Sequence, residues 1–543
     1  MSDTRQIAVY NVKTGVCVAT ARGDRAPILD ICFQSSSDPA GLERNGASFA
    51  TAGVKHLKFW TLGKGLTSKS AVWGKRQDRN VGCIAYHSVQ ASGGRPEESL
   101  LLSGTSQGSL VAWKGNAIVF EKKVHGDKDK GYGIDSIRIT KEDRIITGGR
   151  DGKVNILSRD AAGFSVLFSI DLTNCKSVKA EPRAIDLDAQ GTTMIIGTAG
   201  NEIFEIGVQL SKQKSQPPVA LVQGHYCPKN KDTNEVWGLC AVPGTDKFVS
   251  VSDDATLRVW SASTHKQLEC VDLNRHSSGQ PLPADPKTKE LDLAAQARSV
   301  DVSADGSLAA VGFRSGQVKV YQVPTASSQD WKMIRALKEP MTAGSWIEDL
   351  KFSPDSRYLA VCSHDKRVYV FTTGASKKSS LSLELFCTMK GSTSYVSHLD
   401  WSADSKSIRT NDGSYELLHY AVSAGNQSPQ PSTSQKDTVW ATSTCPISWA
   451  TQGIWAAGYD GTDINHCDVS PAQHADGYQL LATADDFGKV QLFRYPSPAE
   501  RAKALTLRGH SSHVTKVKFG DGCLFSTGGN DTTVIQWKID MKK

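Results

Sequence analysis

The chain holds 543 residues, 39% hydrophobic and 22% charged, too many for one ordinary globular core, so several domains or a repeat array are expected. Net charge is +7, from 63 Lys+Arg against 56 Asp+Glu. That mild bias permits an acidic partner surface but is no nucleic-acid footprint.

No run of eighteen apolar residues occurs, and MSDTRQIAVYNVK has no apolar leader stretch, so neither a membrane span nor a secretory segment is expected. Twelve cysteines are scattered without a C-x-x-C pair or a His/Cys cluster. They read as reduced thiols packed like small apolar groups, with no disulfide frame, metal or cofactor.

In chain order, a lone strand QIAVYNV (6–12) comes first. A recurring unit follows: an apolar strand, often a Ser/Ala-Asp turn, a second apolar strand, a Gly/Asp/Asn-rich turn, and an alternating strand closing on a bulky residue. Copies begin with ILDICF…FATAGVKHLKFWTL (28–62), VGCIAYH…LLSGTSQGSLVAWKG (81–115), IDSIRIT…IITGGRDGKVNILS (134–158) and PRAIDLDAQGTTMIIGTAGNEIFEI (182–206). They continue through EVWGLCAVPGTDKFVSVSDDATLRVW (235–260), 297–321, 347–371, 396–420 and 478–495 to GHSSHVTKVKFGDGCLFSTGGNDTTVIQWKI (509–539). Short strands with period-two alternation and regular turn residues predict a four-stranded antiparallel sheet per unit. Such sheets bury both faces by stacking radially, so the fold class is all-β and the architecture a β-propeller.

Ten units exceed one ring of four to eight blades, which predicts two tandem propellers. The Pro pair and inserted loop in 214–239 mark the break, giving 1–215 as the first ring and 216–543 as the second. The first then counts about four blades and one strand, and its N-terminal blades are expected to be missing. Segments 35–48, 88–99, 272–296 and 423–438, rich in Ser, Pro, Gly and charge, read as surface loops.

His510, Thr527, Asp531 and Trp537 sit where WD40-type repeats place a hydrogen-bonded set, and His225, Ser250, Asp254 and Trp260 form a second copy. Buried imidazole and indole N–H groups need partners, and a turn carboxylate can orient the imidazole. Other units keep parts: Asp151 and Asp365 hold the turn, Gln107 replaces it, and Leu157 replaces the Trp. Several degraded copies argue for structural cement rather than one catalytic site. Gly104–Gly108 (GTSQG) fits a nucleophile-elbow pattern, but that elbow joins strand to helix, and here Ser106 falls in a turn between strands. GGRDGKV (148–154) lacks phosphate-loop spacing. No catalytic role is predicted.

VSHLDWSADSKSIRTNDGSYELLHY, TVWATSTC, GIWAAGYDGTDINHCDVS, DDFGKVQLFRYP and GHSSHVTKVKF, in this order, resemble the echinoderm microtubule-associated protein-like family, as do VKHLKFWTL (54–62) and EVWGL (235–239). The resemblance implies two tandem atypical propellers and a non-enzymatic scaffold of the cytoplasm and cytoskeleton, on microtubules or a ciliary axoneme. It implies tubulin as a partner, alongside other cytoskeletal or axonemal proteins. The family's N-terminal coiled coil has no heptad counterpart here, so self-association through one is not expected.

Tubulin is acidic, so basic loops are the candidate contacts: Lys64, Lys69, Lys75, Arg76 and Arg79; Lys122, Lys123, Lys128 and Lys130; and Lys212 with Lys214. The alternative is a general protein–protein adaptor without tubulin contact.

Overall fold

The computed structural model describes residues 6–34, 47–76, 78–89, 98–127, 130–160, 163–175, 179–227, 234–274, 296–324, 331–374, 383–428, 430–471 and 477–539. The chain divides into two compact units, Met1–Gln223 and Gly224–Lys543. The boundary falls after Gln223 rather than after Ser215, because Val219–Gln223 pairs antiparallel with Glu202–Gln209 and completes the last sheet of the first unit. Among the described residues, no helix is long and apolar enough to cross a membrane.

In the first unit the expected lone strand has a partner: Gln6–Tyr10 pairs with Cys17–Arg22. Four larger sheets follow, whose first strands are Ile28–Phe33, Val81–Val89, Ile134–Ile139 and Pro182–Leu187. The second unit holds six sheets, starting at Val236–Ala241, Ala297–Val302, Ile347–Phe352, Val396–Trp401, Ile464–Val469 and Val514–Phe519. Five have four strands and the last has three. Its first sheet lies beside its last, where the Thr515 hydroxyl donates to the Val236 carbonyl, so this unit closes on itself.

Part of 423–438, expected as loop, is used by the fourth sheet: Asn426–Gln427 pairs with Tyr420 and Ala421. Most of 35–48, 88–99 and 272–296 lies outside the described residues.

In most sheets the second strand is buried on both faces, flanked by neighbouring sheets. Leu359, Ala360, Val361 and Cys362 are all fully buried, as are Ile145 and Ile146. The turn into the third strand needs one left-handed residue in each of the ten repeats. Gly108, Gly152, Gly316 and Gly488 supply it without strain, whereas Lys55, Asn201, Ala255, Lys366, Tyr415 and Thr532 hold φ between 53° and 69°, which costs an L-residue about 1–2 kcal/mol.

The fourth and fifth sheets of the second unit are joined differently. The segment 440–445 wedges between them: Thr442, Thr444 and Cys445 donate to the buried Asp400 carboxylate, and the Cys467 thiol donates to the Ser443 carbonyl at 3.4 Å.

Candidate functional site

In the first sheet of the second unit, His225, Ser250, Asp254 and Trp260 join in one hydrogen-bonded chain. Trp260 Nε1 donates to Ser250 Oγ at 2.8 Å, Ser250 Oγ meets His225 Nε2 at 2.8 Å, and His225 Nδ1 meets Asp254 Oδ2 at 2.9 Å. Asp254 can only accept, which puts the imidazole proton on Nδ1, so the Ser250 hydroxyl, itself accepting from the indole, donates to the bare Nε2. The imidazole is then the Nδ1–H tautomer and donates to Asp254. Burial lowers the His225 pKa against the opposing pull of Asp254, consistent with this neutral form. Burial alone would raise the Asp254 carboxyl, but His225 and Arg258 hold it well below the usual carboxylate range.

In the last sheet the hydroxyl is not the one expected. Trp537 Nε1 donates to Ser526 Oγ at 2.8 Å and His510 Nε2 meets the same oxygen at 2.7 Å, while His510 Nδ1 meets Asp531 Oδ2 at 3.0 Å. Thr527, the sequence candidate, turns to the other face and meets the Thr515 hydroxyl at 2.8 Å. Strand alternation is the reason: Trp537 pairs across from Leu524, and the residue two further on, Ser526, shares that face. The same offset recurs where Trp260 opposes Phe248, Trp60 opposes Phe49 and binds Thr51, and Trp113 opposes Leu101 and binds Ser103.

A third set was missed at the sequence level. His125 Nε2 meets Thr147 Oγ1 and Nδ1 meets Asp151 Oδ1, each at 2.9 Å. With Leu157 in the Trp position, the usual closing signal is absent. The His125, His225 and His510 side chains are shut off from solvent, so these sets orient protons inside the sheet and cannot meet a substrate. Ser106 is a turn residue whose hydroxyl donates to Asp78 at 2.9 Å.

Along the axis of the second unit, the first strands carry polar side chains in tiers. Every one of the six has an irregularity at its second residue. Such a bulge re-aims a side chain, here placing Trp237, Arg298, Glu348, Ser397, Asn465 and Thr515 around one mouth of about 320 Å³. A separate cavity of about 200 Å³ is lined by Asp301, Lys351, Lys518 and Trp401.

Carboxylates here latch neighbouring sheets. Asp301 accepts from the Phe352 N–H and Asp468 from the Phe519 N–H, both at 2.8 Å. Lys351 Nζ donates to Asp349 at 2.6 Å, to the Leu399 carbonyl at 2.6 Å and to Thr444 at 2.7 Å. Burial raises the Asp349 carboxyl, but Lys351 and Lys516 outweigh it and hold it well below its ordinary range.

The basic candidates lie in the first unit, on the fourth strands of two neighbouring sheets and the loop between them. Lys69 is in Leu66–Ser70, and Lys122 and Lys123 are in Ala117–Lys123. A bridge between Val72 and Ala117 brings these strands together. Lys64, Lys69, Lys75, Arg79, Lys122, Lys123 and Lys130 are exposed. Arg76 is committed instead to Glu121 and, at 4.0 Å, Asp78. Lys122 Nζ donates to the Phe164 carbonyl at 2.7 Å, and Lys130 sits 4.8 Å over the Tyr132 ring. Lys128 lies outside the described residues. Lys212 and Lys214 are exposed near the end of this unit.

Comparison with known proteins gives this architecture a family. A family model, echinoderm microtubule-associated protein second beta-propeller, matches residues 236–539. The ciliary WD repeat-containing protein ctxp80 of Euplotoides octocarinatus is 30% identical over 98% of this chain and 66% of its own length. Human echinoderm microtubule-associated protein-like 2 is 32% identical over 90% of this chain and 66% of its own. Human echinoderm microtubule-associated protein-like 3 is 26% identical over 99% and 54%. The chain therefore spans from about half to two thirds of the length of these relatives. An all-β chain whose described residues form eleven sheets in two units, with a family model covering the second and full-length likeness across both, belongs to the echinoderm microtubule-associated protein-like family of tandem β-propellers.

Proposed function

We propose that this chain is a non-enzymatic scaffold that associates with microtubules, including those of cilia, and contacts tubulin through the basic rim of its first unit. Family membership carries the reading: the matching model and several relatives are named for microtubule association, and one relative is named ciliary. The rim adds a physical means, because exposed lysines on two adjoining fourth strands would face an acidic partner. Contacts of this kind weaken as salt shortens the screening length to about 8–10 Å near 0.1–0.15 M. The imidazole sets support the non-enzymatic part, being closed to solvent.

The test is co-sedimentation of the full chain with microtubules across a salt series, beside a variant with Lys64, Lys69, Lys75 and Arg79 all changed to Glu. Pelleting at low salt that the variant loses supports the proposal. A folded chain that stays in the supernatant at low salt favours the general-adaptor reading. A variant that pellets like the parent moves the contact away from this rim.

A further inference from the structure

The axial mouth of the second unit carries more chemistry than ring closure requires. Its charged lining comprises two cations, Arg298 and Lys516, against three carboxylates, Glu348, Asp412 and Asp486. Both cations are committed. Arg298 is sandwiched 4.1 Å from Trp237 and 4.8 Å from Trp346, with Asp253 at 3.6 Å, and Lys516 lies 3.3 Å from Asp349.

Two of the carboxylates are also committed, Glu348 to His364 at 2.6 Å and Asp486 to Asn465 at 2.7 Å. Asp412 differs. It is 3% exposed, and its Oδ1 accepts from the Ser414 and Glu416 N–H groups. Its Oδ2 has no hydrogen-bond partner among the described residues. Leaving a buried carboxylate oxygen bare is costly, so the mouth lacks a donor.

Around Asp412 the wall is aromatic and built with care for space. The Tyr395 ring lies where a Cβ on Gly413 would stand 2.3 Å away, and the Tyr415 ring where a Cβ on Gly461 would stand 2.2 Å away. His364 stacks on Tyr395 at 4.6 Å and lies tilted against Trp346 at 5.0 Å. Tyr415 is 50% exposed and occupies the left-handed turn position at φ 65°. Glycine fills that position in four of the other repeats, and no other repeat has an aromatic ring there. Backbone strain kept for the sake of an exposed ring points to a functional role.

We propose that this mouth binds an arginine side chain of an extended partner segment. The guanidinium donates to Asp412 Oδ2 and stacks on the Tyr415 and Tyr395 rings. Planar guanidinium suits this combination of carboxylate and π-faces better than ammonium does, and the resident Arg298 between two indoles shows the same packing from within the chain.

Saturation-transfer NMR on the full chain with Nα-acetyl-arginine amide tests the site, with Nα-acetyl-glutamate amide as control. Transfer to the arginine side chain is expected, with none to glutamate. Tyr415→Gly relieves strain, so it folds at least as well as the parent while reducing transfer at least fivefold. Asp412→Asn keeps the turn acceptor and reduces it similarly. Equal transfer to the glutamate amide, no transfer to either compound, or full transfer in Tyr415→Gly overturns the proposal.

Discussion

Replacing Ser250 with alanine isolates the role of the buried polar chain. The hydroxyl serves two neighbours at 2.8 Å, accepting from Trp260 and donating to His225, and it is fully buried. Alanine leaves an indole N–H and an imidazole nitrogen without partners, at about 1–3 kcal/mol each, so a loss of about 2–6 kcal/mol is expected. Spread over an unfolding entropy of about 2.1 cal/mol/K per residue for roughly 300 residues, that lowers the midpoint of the second unit by ~3–10 °C. Scanning calorimetry reads the shift, and Ser263→Ala is the control. Ser263 hydrogen-bonds Asp246 on the exposed surface, so its removal moves the midpoint by less than about 1 °C. A Ser250→Ala midpoint within 1 °C of the parent would refute the claim that this chain of contacts stabilises the sheet.

In the last sheet, Ser526→Ala destabilises more than Thr527→Val. The first strips both His510 and Trp537, whereas the second leaves the Thr515 hydroxyl still donating to the Val236 carbonyl; paired melting curves distinguish them. Lys351→Met costs about 3–5 kcal/mol, the range for breaking a buried ion pair, because three acceptors lose the ammonium at once, and denaturant titration measures it. Lys366→Gly raises the melting midpoint by about 1–3 °C, since the exposed lysine holds φ 69° and glycine adopts that conformation freely. Stability also falls as pH drops below about 6.5. Burial lowers the folded-state pKa of His225, His398, His466 and His419, the last to about 4. The unfolded chain therefore takes up these protons first, and the loss continues towards the folded pKa values. Melting midpoints from pH 7 to 4.5 check the sign.

The ten repeats were legible because most write their turn into the sequence: eight of the ten hold glycine or a polar residue at the left-handed position, Ala255 and Tyr415 being the exceptions. The hydroxyl partner of His510 was not, because Ser526 and Thr527 are adjacent and only the cross-strand pairing of Trp537 with Leu524 decides which one faces the ring. His125 escaped for want of a tryptophan. The axial mouth left no local signal at all. Six of its residues are the second positions of six strands, and what unites Trp237, Arg298 and Asn465 is a shared bulge that no sequence motif announces. The first unit's boundary slipped for a related reason: Val219–Gln223 looks like the lead-in to the next repeat, yet it pairs backwards.

Closure of the second unit rests on a contact between Val236 and Thr515, separated by 279 positions. Bringing such distant points together costs a flexible chain about 5 kcal/mol of entropy, a toll that grows only slowly with length. Lengthening an intervening hairpin loop therefore adds little, while removing the final sheet uncovers two apolar walls together. Tolerance to insertion in the middle and intolerance to trimming at the seam come from the same topology.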